Sequence, residues 1–118
     1  MYGLSADIKL GFLCGRELVQ IAVGQFQLIL KFDADISISV EGDFDHMRNG
    51  KSQLEAESLP EAAASLLRLL GANITHVENR GIGDIYMHFS TGEVVSVSDS
   101  NSDTESYEIL GPGVHIIV

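Results

Sequence analysis

The chain has little cysteine, proline and positive charge, and it has no tryptophan. Its 118 residues include one Cys, two Pro, and 17 acids against seven Lys plus Arg. The single cysteine, Cys14, cannot form a disulfide within this chain. Because no base is near it in sequence, we expect a small buried residue rather than a catalytic thiol. The formal charge of −10 argues against nucleic-acid binding, because neutralising phosphates requires Lys and Arg.

Long apolar runs are also absent. No stretch approaches the roughly 18 apolar residues of a membrane helix, so no membrane association is predicted. The opening residues, MYGLSADIKLGFLCG, lack a basic leading segment, and Asp7 and Lys9 interrupt their apolar residues. These features predict a cytoplasmic protein. The length is that of one domain, so residues 1–118 are expected to fold as a unit.

Alternating apolar residues predict β-strands over much of the chain. Residues 26–32 and 36–41 alternate, and the short polar segment 33–35 between them predicts a hairpin. Segments of the same kind predict further strands at 18–23, 74–78, 84–90, 93–98, 107–110 and 114–118. The segment Gly111-Pro112-Gly113 predicts a stiff turn before the last strand.

One segment, about residues 59–70, predicts a helix. Ser58 is suited to the N-cap, and Glu61 completes a capping-box pattern with it. Apolar residues then recur at helical spacing, and Gly71 follows where a helix typically ends. We expect this helix to pack on the sheet.

The chain contains an internal repeat on either side of this predicted helix. The pattern Leu13-x-Gly15-x-x-Leu18-x-x-Ile21 has the spacing of Leu69-x-Gly71-x-x-Ile74-x-x-Val77. The repeats, about residues 13–41 and 69–98, each predict a three-strand meander with a bulge or bend in its first strand. The predicted fold is therefore α+β: a strongly twisted antiparallel sheet or half-barrel of about six to eight strands, with one helix packed on it.

The opening pattern, together with Glu105-Ser-Tyr-Glu-Ile-Leu-Gly-Pro-Gly113, resembles a family of small bacterial proteins of unknown function. Members of that family carry a similar duplicated meander and an aromatic residue, often Trp, before Gly-Pro-Gly. Tyr107 takes the aromatic position here. The resemblance implies no catalytic residue. Small acidic bacterial proteins of this kind are similar in character to the immunity proteins that neutralise secreted toxins.

The acids are unevenly distributed along the chain. Residues 33–45 contain five acids and no base, and no Lys or Arg follows Arg80, although six acids do. An acidic surface of this kind would steer and select a basic partner. The same acids could equally be solvated loop residues that keep the protein soluble. The predicted partner-binding residues are Asp33, Asp35, Glu41, Asp43, Asp45, Asp99, Asp103, Glu105 and Glu108.

Motifs for catalysis, metal binding and cofactor binding are missing. The segment Asp99-x-Asn101-x-Asp103-x-Glu105 begins like a calcium loop, but Thr104 stands in place of the required Gly and Leu110 in place of the final Glu. The four histidines have no paired spacing typical of ligands. We therefore predict no catalytic residue, no metal site and no cofactor.

These observations favour a non-catalytic interaction protein. In its most concrete form, the hypothesis is an immunity protein that binds and neutralises a basic toxin domain, a nuclease among the candidates. A first alternative is a small-ligand-binding or enzymatic domain that uses the concave face of the sheet, with Tyr86, His88 and Tyr107 at the site. A second is a homo-oligomeric structural module joined through the apolar strand 114–118, so a monomer or weak homodimer is expected.

Overall fold

The computed structural model describes residues 10–25, 27–41, 44–48, 51–52, 64–80, 83–98 and 107–117. This part of the chain contains ten strands and two short 3-10 turns. The 3-10 turns are Gly11–Leu13 and Ser65–Leu69. The strands are β1 Leu18–Val23, β2 Leu28–Phe32, β3 Ser37–Val40, β4 Phe44–Arg48, β5 Lys51–Ser52, β6 Ile74–Arg80, β7 Asp84–Phe89, β8 Val94–Val97, β9 Tyr107–Gly111 and β10 Val114–Ile117.

The strands form two antiparallel sheets of five strands each. The first sheet has the order β1-β2-β3-β9-β10, and the second has the order β6-β7-β8-β4-β5. Each sheet is therefore a three-strand meander extended by a hairpin from the other half of the chain. The hairpin β4–β5 leaves the first meander and joins the second, and β9–β10 does the reverse. We call this arrangement the hairpin exchange.

The two sheets have matching registers. In the first sheet, Val40 of β3 lies opposite Tyr107 of β9, and in the second Val97 of β8 lies opposite Phe44 of β4. The first strand of each meander has a register shift just after its first residue, which confirms the predicted bulge or bend. That the two halves arose by duplication stays a prediction.

The inner faces of the two sheets form one apolar core between them. Strands β2 and β7 alternate strictly between buried and half-buried residues, because successive side chains of a strand point to opposite faces. The core takes residues from both sheets, among them Leu30, Ile38, Ile85, Met87 and Ile109. Burying one side chain of this size contributes roughly 1.5–3 kcal/mol.

The sheets also meet where β1 and β6 begin. The Leu18 N–H donates to the Ala72 carbonyl, and the Ile74 N–H donates to the Arg16 carbonyl, both at 2.9 Å. These bonds satisfy backbone groups next to the two bulges, where the regular ladder is interrupted. They join the first strands of the two meanders at the end where the 3-10 turns lie.

The predicted fold class is wrong. The described residues form two sheets rather than one twisted sheet or half-barrel, and their helical elements are the two 3-10 turns. Local alternation shows which residues face inward, but the hairpin exchange depends on pairing between strands far apart in sequence. No local pattern encodes that pairing.

The predicted packed helix is wrong for a different reason. Of its residues, about 59–70, the structure describes 64–70, and Ser65–Leu69 form a 3-10 turn, while 59–63 lie outside the described residues. In a 3-10 turn, residues three apart share a face. Leu66 and Leu69 are accordingly fully buried, whereas Leu67 is 54% exposed. Within residues 64–70, the apolar positions at α-helical spacing are therefore not buried together, since Leu67 and Leu70 are exposed.

Cys14 was expected to be buried, and this prediction is also wrong. It is exposed, because it lies in a turn just after Gly11–Leu13 rather than in a strand.

Candidate functional site

Both connections between the sheets begin and end at the same end of the molecule. The chain leaves the first sheet after Val40 and enters the second at Phe44; it leaves the second sheet after Val97 and returns to the first at Tyr107. Because Val40 pairs with Tyr107 and Val97 pairs with Phe44, the ends of both connections are adjacent. The hairpin exchange thus brings together the ends of two connections that are far apart in sequence.

We call this end of the molecule the acidic pole. The two connections, residues 41–43 and 98–106, contain no Lys or Arg. Their acids are Glu41, Asp43, Asp99, Asp103 and Glu105. Of these five, Glu41 is described, and the other four lie outside the described residues. The pole is therefore defined by where the connections start and end and by their composition.

The structure brings Glu41 and Glu108 together at this pole. Both side chains line a small depression of about 60 Å³. Glu41 Oε1 accepts a hydrogen bond from Gln27 Nε2 at 3.4 Å, and Glu108 lies 3.4 Å from Nε2 of His115. Asp45, the second residue of β4, is half-buried beside the same end. Three of the predicted partner-binding residues therefore lie at or beside the pole.

Tyr107 connects the pole to the core. Its hydroxyl donates to the Gly83 carbonyl at 2.7 Å, which links β9 of the first sheet to the start of β7 in the second. Burial raises the pKa of Tyr107, and the negative charge of Asp84 raises it further. The phenol therefore stays protonated and continues to donate over the ordinary pH range.

Asp33 and Asp35 do not belong to the acidic pole. They lie in the β2–β3 hairpin, at the other end of those strands. Asp33 Oδ1 accepts the Glu17 N–H at 3.0 Å, and its Oδ2 lies 3.9 Å from Arg16. Asp35 has a φ of 59°, so it forms part of the turn itself. Asp33 thus links the hairpin to the residues just before β1, and Asp35 helps to form the turn. A partner-binding role for these two residues stays a prediction.

The structure also contains a buried polar group that the sequence analysis missed. His46, on the inner face of β4, is fully buried. Its Nδ1 lies 2.9 Å from the Ser65 hydroxyl and its Nε2 lies 2.9 Å from Glu93 Oε1. Glu93 also accepts a hydrogen bond from the Thr91 hydroxyl at 2.8 Å and lies 3.4 Å from Nε of Arg68. We call these five residues the His46 cluster.

The charge of Glu93 determines which atoms donate and which accept in the His46–Glu93 hydrogen bond. Burial alone would raise the pKa of Glu93, but hydrogen bonds from Thr91 and His46 and the charge of Arg68 outweigh burial and lower it. Glu93 is therefore a carboxylate at neutral pH. Because a carboxylate can only accept, Nε2 of His46 carries the proton, and in a neutral imidazole Nδ1 then accepts from the Ser65 hydroxyl.

A cleft opens beside the cluster at the end of the strands away from the pole. It has a volume of about 430 Å³ and is lined by Arg48, Arg68, Thr91, Gly92 and Glu93. Ser65 and His46 do not line it. The Ser65–His46–Glu93 chain contains the residue types of a catalytic triad, but it does not present its serine to this cleft. The contacts within the cluster hold the Glu93 carboxylate in place, and this carboxylate in turn positions the Arg68 side chain.

The predicted ligand site at Tyr86, His88 and Tyr107 is not assembled. Tyr107 is buried in the core, whereas Tyr86 and His88 are on the outer face of the second sheet, half-buried. The three side chains therefore lie on different sides of the protein and cannot contact one small ligand.

The outer face of the second sheet is instead organised around Glu78. Nε2 of His76 and of His88 lie 3.5 and 3.3 Å from Glu78 Oε1. The hydrogen bond from Arg80, together with its charge, lowers the pKa of Glu78. Arg80 also lies over the ring of Tyr86, 4.1 Å from its centroid. Among the described residues, no group of three or more His, Cys, Asp or Glu is arranged to hold a metal ion.

Comparison with known proteins identifies one family model, described as "Family of unknown function (DUF6188)", which matches residues 12–118. The predicted resemblance to a family of unknown function is confirmed in this form; the likeness to immunity proteins stays a prediction. Searches of curated proteins and of solved structures find no match. Across the part of the chain that the structure describes, no helix has the length and apolar character needed to cross a membrane.

Proposed function

We propose that this chain, which belongs to the family of unknown function DUF6188, is a non-catalytic binding protein whose acidic pole contacts a basic protein partner. In its most concrete form, the partner is a basic toxin domain, such as a nuclease, and the chain is the cytoplasmic immunity protein that neutralises it. The observation that supports the proposal is the hairpin exchange, because both base-free connections start and end at one pole.

The charges around the pole support this proposal. Asp84 and Glu108 add to the five acids of the connections. Arg80, which lies opposite Asp84 in the register, is the base that β6 brings to this end, and it pairs with Glu78 at 2.6 Å. A concentrated negative field of this kind speeds association with a positive surface and selects against acidic partners. A surface that binds nucleic acid would instead be positively charged, because it has to neutralise phosphates.

Affinity capture from the native host tests the proposal, with a matched pair of variants. The pole variant carries Glu41→Gln, Asp43→Asn and Glu108→Gln. The control variant carries Glu17→Gln, Asp33→Asn and Asp35→Asn at the other end of the first sheet. Each variant removes three carboxylates, so both change the formal charge from −10 to −7.

We expect the parent chain and the control variant to retain the same basic protein at moderate salt, and the pole variant to lose it. The purified pair should then associate more slowly with the pole variant, with a weaker dependence of the association rate on salt. Equal retention by both variants, or a retained partner that is not basic, would contradict the proposal.

A further inference from the structure

One interior position is apolar in the first half of the molecule and polar in the second. In the first sheet, Ile109 of β9 lies opposite Ile38 of the central strand β3. In the second sheet, the corresponding residue opposite Val95 is His46 of β4. Both are fully buried. An isoleucine at this position therefore suffices for the fold, and the histidine is a departure peculiar to the second half.

The neighbour of this position differs in the same way. The Ile36 carbonyl accepts the Phe32 N–H at 2.7 Å, and the Glu93 carbonyl accepts the Phe89 N–H at 2.9 Å, so Ile36 and Glu93 are counterparts in the two hairpins. Both are buried. The second half thus has a hydrogen-bonded His–Glu pair where the first half has two isoleucines.

Such an exchange of apolar for polar residues is costly for folding. A buried polar pair must be stripped of water, and its replacement by apolar residues is often neutral or stabilising. Because the first half shows that the apolar alternative fits this fold, the need to fill the core does not explain the His46–Glu93 pair. A role outside the core is the simpler explanation.

The surface beside the pair differs between the halves as well. Two residues beyond Ile109 lies Gly111, and a Cβ added there would come within 3.1 Å of Ile36 Cγ1, so this space is filled. Two residues beyond His46 lies Arg48, which with Glu93 lines the open cleft of about 430 Å³. The second half therefore has a cleft on the side of β4, whereas the corresponding space beside β9 is filled in the first half. Ile36 does line a cleft of about 340 Å³, but that cleft is bordered by residues of β1, β2, the β2–β3 turn and the start of β3 rather than by β9.

Although the protein as a whole is strongly acidic, bases outnumber acids among the described residues that line the cleft. Glu93 is its one acid among the described lining residues, and that carboxylate already has His46, Thr91 and Arg68 as partners. The Arg68 side chain is 42% exposed, with Nε directed to Glu93. Arg48 is exposed and makes no ion pair with a described residue.

We propose that this cleft binds the oxyanion group of a small metabolite, a carboxylate or a phosphate, between the guanidinium groups of Arg48 and Arg68. The planar guanidinium fork matches two oxygens of either group. The cleft volume falls within the range of about 300–1,000 Å³ found for small-molecule sites. Glu93 and His46 are positioning residues, because they hold Arg68 at the wall of the cleft. The site is separate from the acidic pole and independent of the function proposed for it.

Titration with two anions tests the proposal. Amide resonances of the protein are followed by NMR as inorganic phosphate or succinate is added, with sodium chloride at matched ionic strength as the reference. We expect saturable shifts at Arg48, Thr91 and Gly92 with at least one of the two anions. Saturation by phosphate alone identifies a phosphate ligand, and saturation by succinate alone identifies a carboxylate. Shifts that match the chloride reference for both anions would overturn the proposal.

Substitutions then locate the site. Arg48→Gln and Arg68→Gln should each weaken binding by about tenfold, the loss of one charge-assisted contact. Lys31→Gln is the matched control, because Lys31 is a base lining a different cleft, beside Val19 and Asp35. An unchanged affinity in both arginine variants, with the same resonances shifting, would also overturn the proposal.

A double variant tests the positioning role. His46→Ile with Glu93→Ile gives the second half the residues of the first. We expect this protein to remain folded, with a urea midpoint no lower than that of the parent chain, and to bind the anion at least about tenfold more weakly. Full binding by a folded double variant would exclude a positioning role for the pair.

Discussion

Among single residues, Glu93 links the stability of the protein to pH. Its pKa is lower in the folded protein than the ordinary value of 4.5. A carboxyl of this kind contributes stability that is fully present above its unfolded-state pKa and is lost as the pH falls through the folded-state value. Glu93→Gln should therefore reduce the free energy of unfolding at pH 7, and the difference from the parent chain should shrink in acid.

Urea denaturation at neutral pH and below about pH 4 measures this difference. Glu17→Gln is the control, because Glu17 is an exposed residue of the same charge. The free energy of unfolding of the Glu17→Gln variant should be almost the same as that of the parent chain at neutral pH. If Glu93→Gln lowers the free energy of unfolding by the same amount at both pH values, ionisation of Glu93 does not contribute to stability.

Gly71 gives a second prediction for a single residue. Its φ is +88°, and a Cβ built there would have open space within 4 Å, so the cost of a side chain is conformational rather than steric. Gly71→Ala should destabilise the protein by about 1–2 kcal/mol, the usual penalty for a left-handed non-glycine residue. Gly11→Ala is the matched control, since Gly11 has equal space and no positive φ. Equal urea midpoints for the two variants would contradict this account.

Single residues also show how much could be predicted from the sequence. The positions of β2, β3, β7 and β8 that alternation predicts to face inward are buried, among them Leu28, Leu30 and Val97. Phe26, which was predicted to share this face, lies outside the described residues. His46 was not predictable in this way, because its burial depends on Ser65 and Glu93, which lie 19 and 47 residues away along the chain. A usable signal lay in the repeat: continuing the comparison of the halves past residue 41 would have set His46 against Ile109.

At the level of elements, the burial of leucines in Ser65–Leu69 distinguishes the observed 3-10 turn from the predicted helix. An α-helical stripe would bury Leu66 and Leu67 together, whereas the turn buries Leu66 fully and leaves Leu67 54% exposed. Leu66→Ala should cost about 2–5 kcal/mol of unfolding free energy, as for other buried leucines. Leu67→Ala should change it by less than about 0.5 kcal/mol. Similar losses in both variants, measured in urea, would favour the helical stripe.

The strands of the two meanders were predictable, whereas their assembly was not. Hairpins such as β2–β3 are encoded by alternation and by turn residues close in sequence. Strand β4 was missed, because residues 44–48 carry Asp, His and Arg and resemble a polar loop. Its assignment to a strand comes from pairing with β8, almost 50 residues later. The candidate sites depend on this same pairing, so neither the pole nor the cleft could be located from the sequence.

At the scale of the whole molecule, the carboxylates of the acidic pole should repel one another and lower the stability of the folded protein. Like charges gathered at one end destabilise the compact state, and added salt screens them. The urea midpoint of the parent chain should therefore rise as salt is added at low ionic strength. The rise should be smaller in the pole variant than in the control variant, in which Asp33 loses its pairing with Arg16. The same salt dependence in both variants would mean that the charge is spread evenly.

The hairpin exchange also affects the order in which the protein can fold during synthesis. When residues up to 52 have left the ribosome, β4 and β5 have been made but β8, the partner of β4, has not. The first sheet, in turn, is complete only when β9 and β10, the last described strands, have been made. Contacts this distant in sequence slow folding, and neither half is complete while the other is missing. In a nascent chain, the second sheet would therefore stay incomplete until β8 has been made, and the first sheet until β9 and β10 have been made. A product terminated before β8 would lack a complete sheet in either half.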